Sequence, residues 1–312
     1  MGTVFDITVF ESNLTQSELS AVLDQAFAVA DDVAQRTSAT DPRGLAFKVA
    51  QAKSGDALPL DVDLLLILKD AFEINRLSDG AFDITDSPLR KTWRLAKEKG
   101  ELPEASLINK SLANVGAKRL TLDTQNEKLV VLESGTEIDL QGLARAYSLD
   151  KVLKFLKDNG VKSAALSNGD SIRFLGLSSE GRNWRMGIEH PRRPDEYAAV
   201  LELPEGFSVT TVGDYLDFIM VDNRRFPMTV DPHTGQKPAN MIAGVTVVAK
   251  KTSLSYAVAS AFFVLGPEKG HALVERLKAE GVEAVCIEEP SPDKLSLTVS
   301  EGIQPYLKDI RI

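Results

Sequence analysis

The stretch that decides how this chain folds is Phe226-Pro227-Met228-Thr229-Val230-Asp231-Pro232-His233-Thr234-Gly235-Gln236-Lys237-Pro238. Its pattern predicts the end of a strand followed by a tight turn. Asp231 at the first turn position and Pro232 at the second pre-set the backbone, and Gly235 tolerates a positive φ. Turn chemistry alone predicts only a turn, so the meaning of the stretch depends on the rest of the chain.

The composition limits the class of partner. The chain has 312 residues, of which 43% are hydrophobic and 26% are charged, which is ordinary for a globular protein with a large core. The formal net charge of −9 disfavours nucleic acid and anionic membrane surfaces. A phosphate-bearing ligand would need backbone amides, local cations or a metal ion. No apolar run approaches the ~20 residues of a membrane helix, so we expect no transmembrane segment in this chain.

Periodicity predicts helices that alternate irregularly with short strands. Helices are predicted at residues 16–36, 62–77, 142–159, 254–265 and 270–280. Strands are predicted at 119–123, 128–132, 137–139, 163–167, 171–175, 184–188, 198–203, 218–221 and 244–248. Residues 95–107 are charged, and we expect a surface excursion there. Several strand pairs resemble hairpins, so the pattern favours an α+β fold with largely antiparallel sheets.

The junction at residues 139–147 is suited to phosphate. A helix N-terminus offers free amides and a positive dipole end, Gly142 permits close approach, and Arg145 adds a cation one turn in. An ordinary strand-loop-helix connection explains the same residues. Residues 80–85 fit a helix end followed by a strand, residues 210–215 fit a turn with Gly213 at positive φ, and residues 255–260 fit a buried helix face.

Six short motifs follow one another along nearly the whole chain. They are Met1-Gly2-Thr3, Gly80-Ala81-Phe82-Asp83, Asp139-Leu140-x-Gly142-x-Ala144-x-x-Tyr147, Thr211-x-Gly213-Asp214-Tyr215, Asp231-Pro232-x-Thr234-Gly235 and Phe263-Val264-Leu265-Gly266. In this order and approximate spacing they resemble the ApbE family of FAD:protein FMN transferases, formerly called thiamine biosynthesis lipoproteins. The resemblance implies one α+β domain over residues 1–312, with two interlocked halves, largely antiparallel sheets and a cleft between them.

The resemblance also implies a reaction. Family members bind FAD in the cleft, a magnesium ion organises the pyrophosphate, and a threonine or serine hydroxyl of a target protein attacks the phosphorus on the FMN side and releases AMP. The implied partners are therefore a flavin nucleotide and a protein to be flavinylated. Family members are usually exported to the periplasm and lipid-anchored as precursors, which we expect here, with a cytoplasmic location left open.

Site residues follow from the resemblance position by position. Four residues are implied to line the flavin nucleotide site: Met1, Ala81, Phe82 and Asp83. Three more are implied to lie along the ligand, namely Gln141 and Tyr147 beside the dinucleotide and Thr229 near the flavin. The backbone carbonyl of Ala144 is implied to face the metal.

Two departures from the family pattern fall on the chemistry. Met228 occupies the position of the family histidine and cannot take a proton. The metal motif Ala-Asp-x-x-x-Thr aligns with Ser255, Tyr256 and Ser260, so Tyr256 removes the carboxylate ligand. Magnesium prefers anionic oxygen, so Ser260 and a carbonyl would hold it poorly.

Three hypotheses follow. The chain is an altered or weakened transferase in which Asp231 or His233 assists. It is an inactive relative that still binds a flavin nucleotide. It is an interaction scaffold whose cleft has closed, with Met228 and Tyr256 filling the space.

Overall fold

The computed structural model describes residues 4–222, 224–291 and 294–312. The helices are α1 (Gln16–Thr37), α2 (Leu45–Gln51), α3 (Val62–Leu77), α4 (Ser87–Lys99), α5 (Ala105–Leu112), α6 (Gln141–Asp158), α7 (Thr252–Leu265) and α8 (Pro267–Arg276). The strands are β1 (Asp6–Ser12), β2 (Ala57–Pro59), β3 (Leu120–Asp123), β4 (Lys128–Val131), β5 (Val161–Ser167), β6 (Ser171–Leu175), β7 (Trp184–Glu189), β8 (Tyr197–Leu203), β9 (Ser208–Gly213), β10 (Phe218–Val221), β11 (Arg224–Pro227), β12 (Ile242–Ala249), β13 (Glu283–Ser291), β14 (Lys294–Val299) and β15 (Leu307–Lys308).

A seven-stranded sheet organises the fold. Its strand order is β1-β5-β6-β9-β12-β13-β14, and every pair in it is antiparallel. Two three-stranded sheets, β15-β8-β7 and β2-β4-β3, and the hairpin β10-β11 complete the described strands. The predicted α+β class with largely antiparallel sheets is confirmed.

The core lies on both faces of this sheet. All eight residues of β12 are buried, because helices cover one face and the β7-β8 sheet covers the other. Residues 252–263 of α7 are also all buried, as expected for a helix that is apolar nearly all round. The central helix α7 packs against α6 and α3, and this packing brings Tyr256 to the start of α6. No helix among the described residues is long and apolar enough to cross a bilayer.

The five predicted helices are present, with ends that differ by up to four residues. Helix α1 begins at a capping box, in which Thr15 and Glu18 satisfy each other's backbone amides. Helix α2 escaped prediction because it has only seven residues, too few for a periodic pattern.

Several predictions of local structure were wrong. Residues 137–139 are not a strand, because the Asp139 amide donates to the Ile84 carbonyl (2.7 Å) outside any sheet. Residues 95–107 lie mostly exposed at the surface, as predicted, but they also hold the end of α4 and the start of α5, which the sequence did not indicate. Gly80 is followed by a 3₁₀ turn rather than a strand, because the Asp83 side chain caps it. Gly213 ends β9 without a positive φ.

Candidate functional site

A cavity of about 330 Å³ lies where the end of α1, one face of α4 and the start of α6 meet. Its volume is at the small end of the range for ligand sites. The walls include Thr37, Ser38 and Thr40 after α1, Ser87, Arg90, Lys91 and Arg94 on α4, and Asp139, Leu140, Gln141, Ala144 and Arg145 at the start of α6. The junction whose sequence suits phosphate therefore faces a cavity, and Gln141 and Ala144 both line it.

The walls of this cavity carry four cations and one carboxylate: Arg90, Lys91, Arg94, Arg145 and Asp139. Lys91 is paired with Glu137 outside the set. Arg145 donates from Nη2 to Asp170 (2.9 Å), and its Nε is buried without a hydrogen-bond partner in the part of the chain that is described. Arg94 forms no ion pair or hydrogen bond with a described residue. Arg90, Lys91 and Arg145 thus have carboxylate partners outside the walls, and the walls themselves, called the cationic cavity below, present mainly cations in a chain of net charge −9.

Arg90 is the cation with the most specific geometry. Its Nε donates to both carboxylate oxygens of Asp86, at 2.8 and 2.7 Å, and lies 3.9 Å from Asp139 Oδ2. Arg90 also lines the cavity, and its Nη1 and Nη2 atoms donate to no described residue. The Arg90 side chain is 34% exposed, whereas that of Asp86 is only 5% exposed. Asp86 therefore holds the guanidinium through Nε, and the two Nη atoms keep their hydrogen-bond donors available to a ligand in the cavity.

Charge and burial act on this pair in opposite directions. Burial raises the pKa of Asp86 to about 6, the positive charge of Arg90 works against that rise, and the charge of Asp139 adds to it. The Asp86 carboxylate in turn raises the pKa of Arg90, so the guanidinium stays charged. At neutral pH the site holds a fixed cation.

Tyr256 closes the space on the inner side of Arg90. A nearly filled void of about 10 Å³ lies between Tyr256, Gly142, Asp86 and Arg90, enough for one water at most. A Cβ built on Gly142 would lie 1.8 Å from Tyr256 Oη, so the phenol occupies the room that this glycine leaves. The Phe82 ring meets Tyr256 edge to face, with centroids 6.4 Å apart. Burial raises the pKa of Tyr256, so its hydroxyl is neutral near neutral pH.

The residues at the family's metal positions do not fit magnesium. Tyr256 and Ser260 lie one turn apart on the same face of α7, and both offer neutral hydroxyls. The fixed guanidinium of Arg90 borders the same void as Tyr256 and repels a divalent cation. No group of three or more acidic, histidine or cysteine side chains that could hold a metal occurs among residues 4–222, 224–291 and 294–312. A hard cation needs anionic oxygens, and Tyr256 and Ser260 supply none. The three carboxylates that border the void are already engaged, Asp83 by Thr85 and Ala117, Asp86 by Arg90, and Asp139 by the Gln141 amide.

The segment containing Ala81, Phe82 and Asp83 has a structural role. Asp83 accepts hydrogen bonds from the Thr85 amide and hydroxyl (2.8 and 2.7 Å) and from the Ala117 amide (2.9 Å). Ala81 and Phe82 are buried. Phe82 and Asp83 border the small void rather than the cationic cavity. Met1, which the resemblance also implies at the flavin site, lies outside the described residues.

Tyr147 lies in an ionic cluster away from the cavity walls. Its hydroxyl donates to Asp63 Oδ1 (2.7 Å), and Asp63 Oδ2 accepts from Lys151 (2.6 Å) and Arg36 (2.7 Å). Burial and the charge of Asp63 raise the pKa of Tyr147. The Tyr147 hydroxyl therefore donates its proton within the protein, to Asp63, and does not face the cavity.

The predicted turn forms, with the Gly235 amide donating to the Asp231 carbonyl (2.8 Å) and Gly235 at φ 68°. Met228 before the turn packs against an apolar cluster that includes Leu89 and Trp93. Thr229 is half-buried beside it. The structure thus places Met228 in apolar packing on α4.

The two residues that could replace the missing histidine are held by the turn. Asp231 accepts from the His233 amide (2.9 Å) and the Thr234 hydroxyl (3.0 Å). The His233 ring contacts Asp231 Oδ1 through Nδ1 (3.1 Å) and the Asp79 carbonyl through Nε2 (2.7 Å). His233 lines a different, open cavity of about 520 Å³ and does not line the cationic one.

Sequence reasoning missed Asp86, Arg90, Arg94 and Lys237. Asp86 and Arg90 carry opposite charges four residues apart, a signal that becomes visible only once residues 87–99 are recognised as a helix. Lys237 is half-buried, its Nζ lies 3.9 Å from the Trp93 ring centroid, and the ammonium has no hydrogen-bond partner among the described residues. Burial lowers the pKa of Lys237 to about 7, and the charge of Arg90 adds to this effect.

Several proteins named as FAD:protein FMN transferases are similar in sequence. The FAD:protein FMN transferase of Vibrio cholerae is 27% identical over 283 residues, which cover 88% of this chain and 82% of that protein. The FAD:protein FMN transferase of Treponema pallidum is 26% identical over 317 residues, covering 97% of this chain and 85% of its own.

Solved structures share the fold. The flavin transferase ApbE from Vibrio cholerae superposes with a TM-score of 0.84 at 24% identity, covering 98% of this chain and 96% of its own. The apo form of the Pseudomonas stutzeri flavinyl transferase ApbE gives a TM-score of 0.81 at 26% identity, covering 98% and 94%. The model of the ApbE family matches residues 1–286. With the motif order, the antiparallel sheet and the fold similarity, this match means that the chain belongs to the ApbE family.

Proposed function

We propose that this protein binds a flavin nucleotide through its phosphates in the cationic cavity, and that its transfer of FMN from FAD to a protein hydroxyl is strongly weakened or lost. The observation that carries the proposal is the group of cations, Arg90, Arg94 and Arg145, around one cavity at the start of α6. Family membership supplies the class of ligand, since its relatives are named as FAD:protein FMN transferases.

The cavity suits a phosphodiester in three ways. The N-terminal amides of α6 and its dipole favour an anion at this end. Planar guanidinium groups match phosphate oxygens in pairs, and Arg90 and Arg94 have donors that no residue of the described ranges accepts. The volume of about 330 Å³ accommodates the phosphate-bearing part of a dinucleotide, with the flavin ring extending beyond it.

Weak transfer follows from the residues near the reaction. A general base typically contributes a factor of about 10² to 10⁴ in rate, and Met228 has no basic atom. Both Asp231 and His233 are engaged in the turn, so neither is free to replace it. The misfit of Tyr256 to magnesium removes a second contribution, because the metal neutralises charge on the transferring phosphoryl group.

Calorimetric titration of FAD, paired with chromatographic measurement of AMP release, tests the proposal. We expect saturable FAD binding, together with AMP release at least 100-fold slower than that of an active family member assayed alongside with the same acceptor protein. Rapid AMP release would contradict the loss of chemistry. Absence of FAD binding would contradict the binding proposal itself.

One observation favours the scaffold hypothesis as a second candidate. The Tyr256 ring already fills the space beside Gly142, and Met228 is packed into an apolar cluster. If FAD does not bind, these two side chains have closed the ancestral cleft, and the remaining surface is the candidate for protein contact.

A further inference from the structure

The position where the family pattern calls for a metal is bordered here by a protein cation. Arg90, Tyr256 and Gly142 close around the same void of about 10 Å³, and Arg90 also lines the cavity of about 330 Å³. Tyr256 fills the space and so excludes an ion from the void, whereas the Arg90 side chain borders both the void and the cavity. Tyr256 and Arg90 therefore act at one place in the fold.

We propose that the Arg90 guanidinium replaces the divalent cation, so that a diphosphate group is bound in the cationic cavity without metal. This inference rests on the proposed function for the flavin nucleotide but concerns the diphosphate alone. Arg90 is a binding residue in it, and Asp86 is a positioning residue that acts through Arg90.

The geometry of Arg90 supports this role. Asp86 accepts from Nε at 2.8 and 2.7 Å, which fixes the plane of the guanidinium. Nη1 and Nη2 find no acceptor among the described residues, and a guanidinium presents these donors as a fork that matches two oxygens of a phosphate. Arg94 and Arg145 line the same cavity and supply further positive charge. A diphosphate would thus complete the hydrogen bonding that the protein leaves open.

The nearby carboxylates do not restore a metal site. Asp86 is taken up by Arg90, and Asp139 accepts from the Gln141 amide (2.8 Å) at the start of α6. A divalent ion between them would lie against the Arg90 guanidinium, which is charged at every accessible pH. The carboxylates that border the void are therefore engaged by the protein, whereas the donors on the cavity side are guanidinium groups, which favour an anion.

Inorganic pyrophosphate and FAD are the probes. Calorimetry in EDTA measures the affinity of each for the native protein, and FAD is then titrated again in excess magnesium. We expect pyrophosphate to bind in EDTA, and magnesium to change the FAD affinity by less than about twofold. Loss of pyrophosphate binding in EDTA, or an FAD affinity that rises tenfold with magnesium, would overturn the inference.

Variants identify the residue. Arg90→Gln leaves the buried Asp86 carboxylate unpaired and endangers folding, so the main variant is the neutral pair Asp86→Asn with Arg90→Gln. We expect it to bind pyrophosphate about 10- to 100-fold more weakly, the effect of losing one charge-assisted contact. Arg90→Lys keeps the charge without the fork and should fall between. Lys99→Gln removes the same charge from the exposed end of α4 and should bind as the native protein does.

The two proposals fail differently. Native-like pyrophosphate affinity in the Asp86→Asn, Arg90→Gln variant, verified as folded by circular dichroism, would refute the role of Arg90 even if FAD binds. Pyrophosphate binding that depends on Arg90, with no binding of FAD, would uphold the diphosphate site and refute the flavin function.

Discussion

Asp86 provides a prediction whose magnitude follows from the structure. The Asp86 side chain is 5% exposed, and burial raises the pKa of its carboxyl from 3.8 to about 6 despite the paired Arg90. The native state therefore holds the proton more tightly than the unfolded state. Stability is highest when the group is protonated and falls as the pH rises through the range from about 4 to 6. Moving the pKa from 3.8 to about 6 corresponds to about 3 kcal/mol.

Asp86→Asn removes the titrating group and keeps its shape. The assay is urea unfolding of the native protein and the variant at a series of pH values from 4 to 7.5. The free energy of unfolding of the variant, relative to that of the native protein, should rise by about 2.5 kcal/mol across this range, which is the part of the full effect that lies above pH 4. Subtracting the free energy of unfolding of the native protein from that of the variant at each pH removes the contribution of the other carboxylates, which both proteins share. A difference that stays constant with pH, or that falls, would refute the reasoning about burial.

Three further predictions concern the neighbouring residues. Gly142→Ala places a methyl group 1.8 Å from Tyr256 Oη, so thermal unfolding should show a loss of about 1–3 kcal/mol. In a Tyr256→Leu background the same change should cost less than half as much, because the phenol that the methyl group meets is gone, and equal losses would contradict the packing. Burial lowers the pKa of Lys237, so the melting temperature of the native protein should rise with pH above about 7, where the folded state holds a neutral amine and the unfolded state a charged one. Lys237→Met should abolish this rise, and a pH profile that the substitution leaves unchanged would show that the amine is solvated. The double variant Met228→His, Tyr256→Asp should release AMP from FAD in magnesium at least tenfold faster than the native protein does. Met228→His alone should give a smaller gain, because it restores the base without the metal ligand. No gain in the double variant would mean that other residues cause the weak transfer.

Periodicity and cap chemistry were sufficient to predict the long helices. Helix α3 combines an apolar stripe with Asp61 at its start, and its bounds matched the prediction because both signals are local. Helices α4 and α5 were missed because α4 is amphipathic but short of apolar residues. What stabilises α4 is the burial of Trp93 against Ile108 and Val230, which are distant in sequence. The secondary structure of this region depends on contacts between residues distant in sequence, which a local sequence pattern cannot reveal.

The site was predictable only in part. The start of α6 carried its own signal in Gly142 and Arg145, and the structure places Arg145 and Gln141 on the cavity. The role of Arg90 depends on folding, because only the folded chain brings the start of α4 within 3.9 Å of Asp139 and onto the cavity at the start of α6. The side chain of Tyr256 was noticed as a missing carboxylate. That it fills the space beside Gly142 follows from the packing of α7 against α6.

Competition between FAD and pyrophosphate tests the central claim most directly. FAD is titrated calorimetrically into the native protein in EDTA, first alone and then with pyrophosphate at increasing fixed concentrations. The account predicts that the apparent FAD dissociation constant rises in proportion to pyrophosphate, because both ligands need the cavity lined by Arg90, Arg94 and Arg145. An FAD affinity that pyrophosphate does not change would mean that the flavin nucleotide binds elsewhere and would contradict the account.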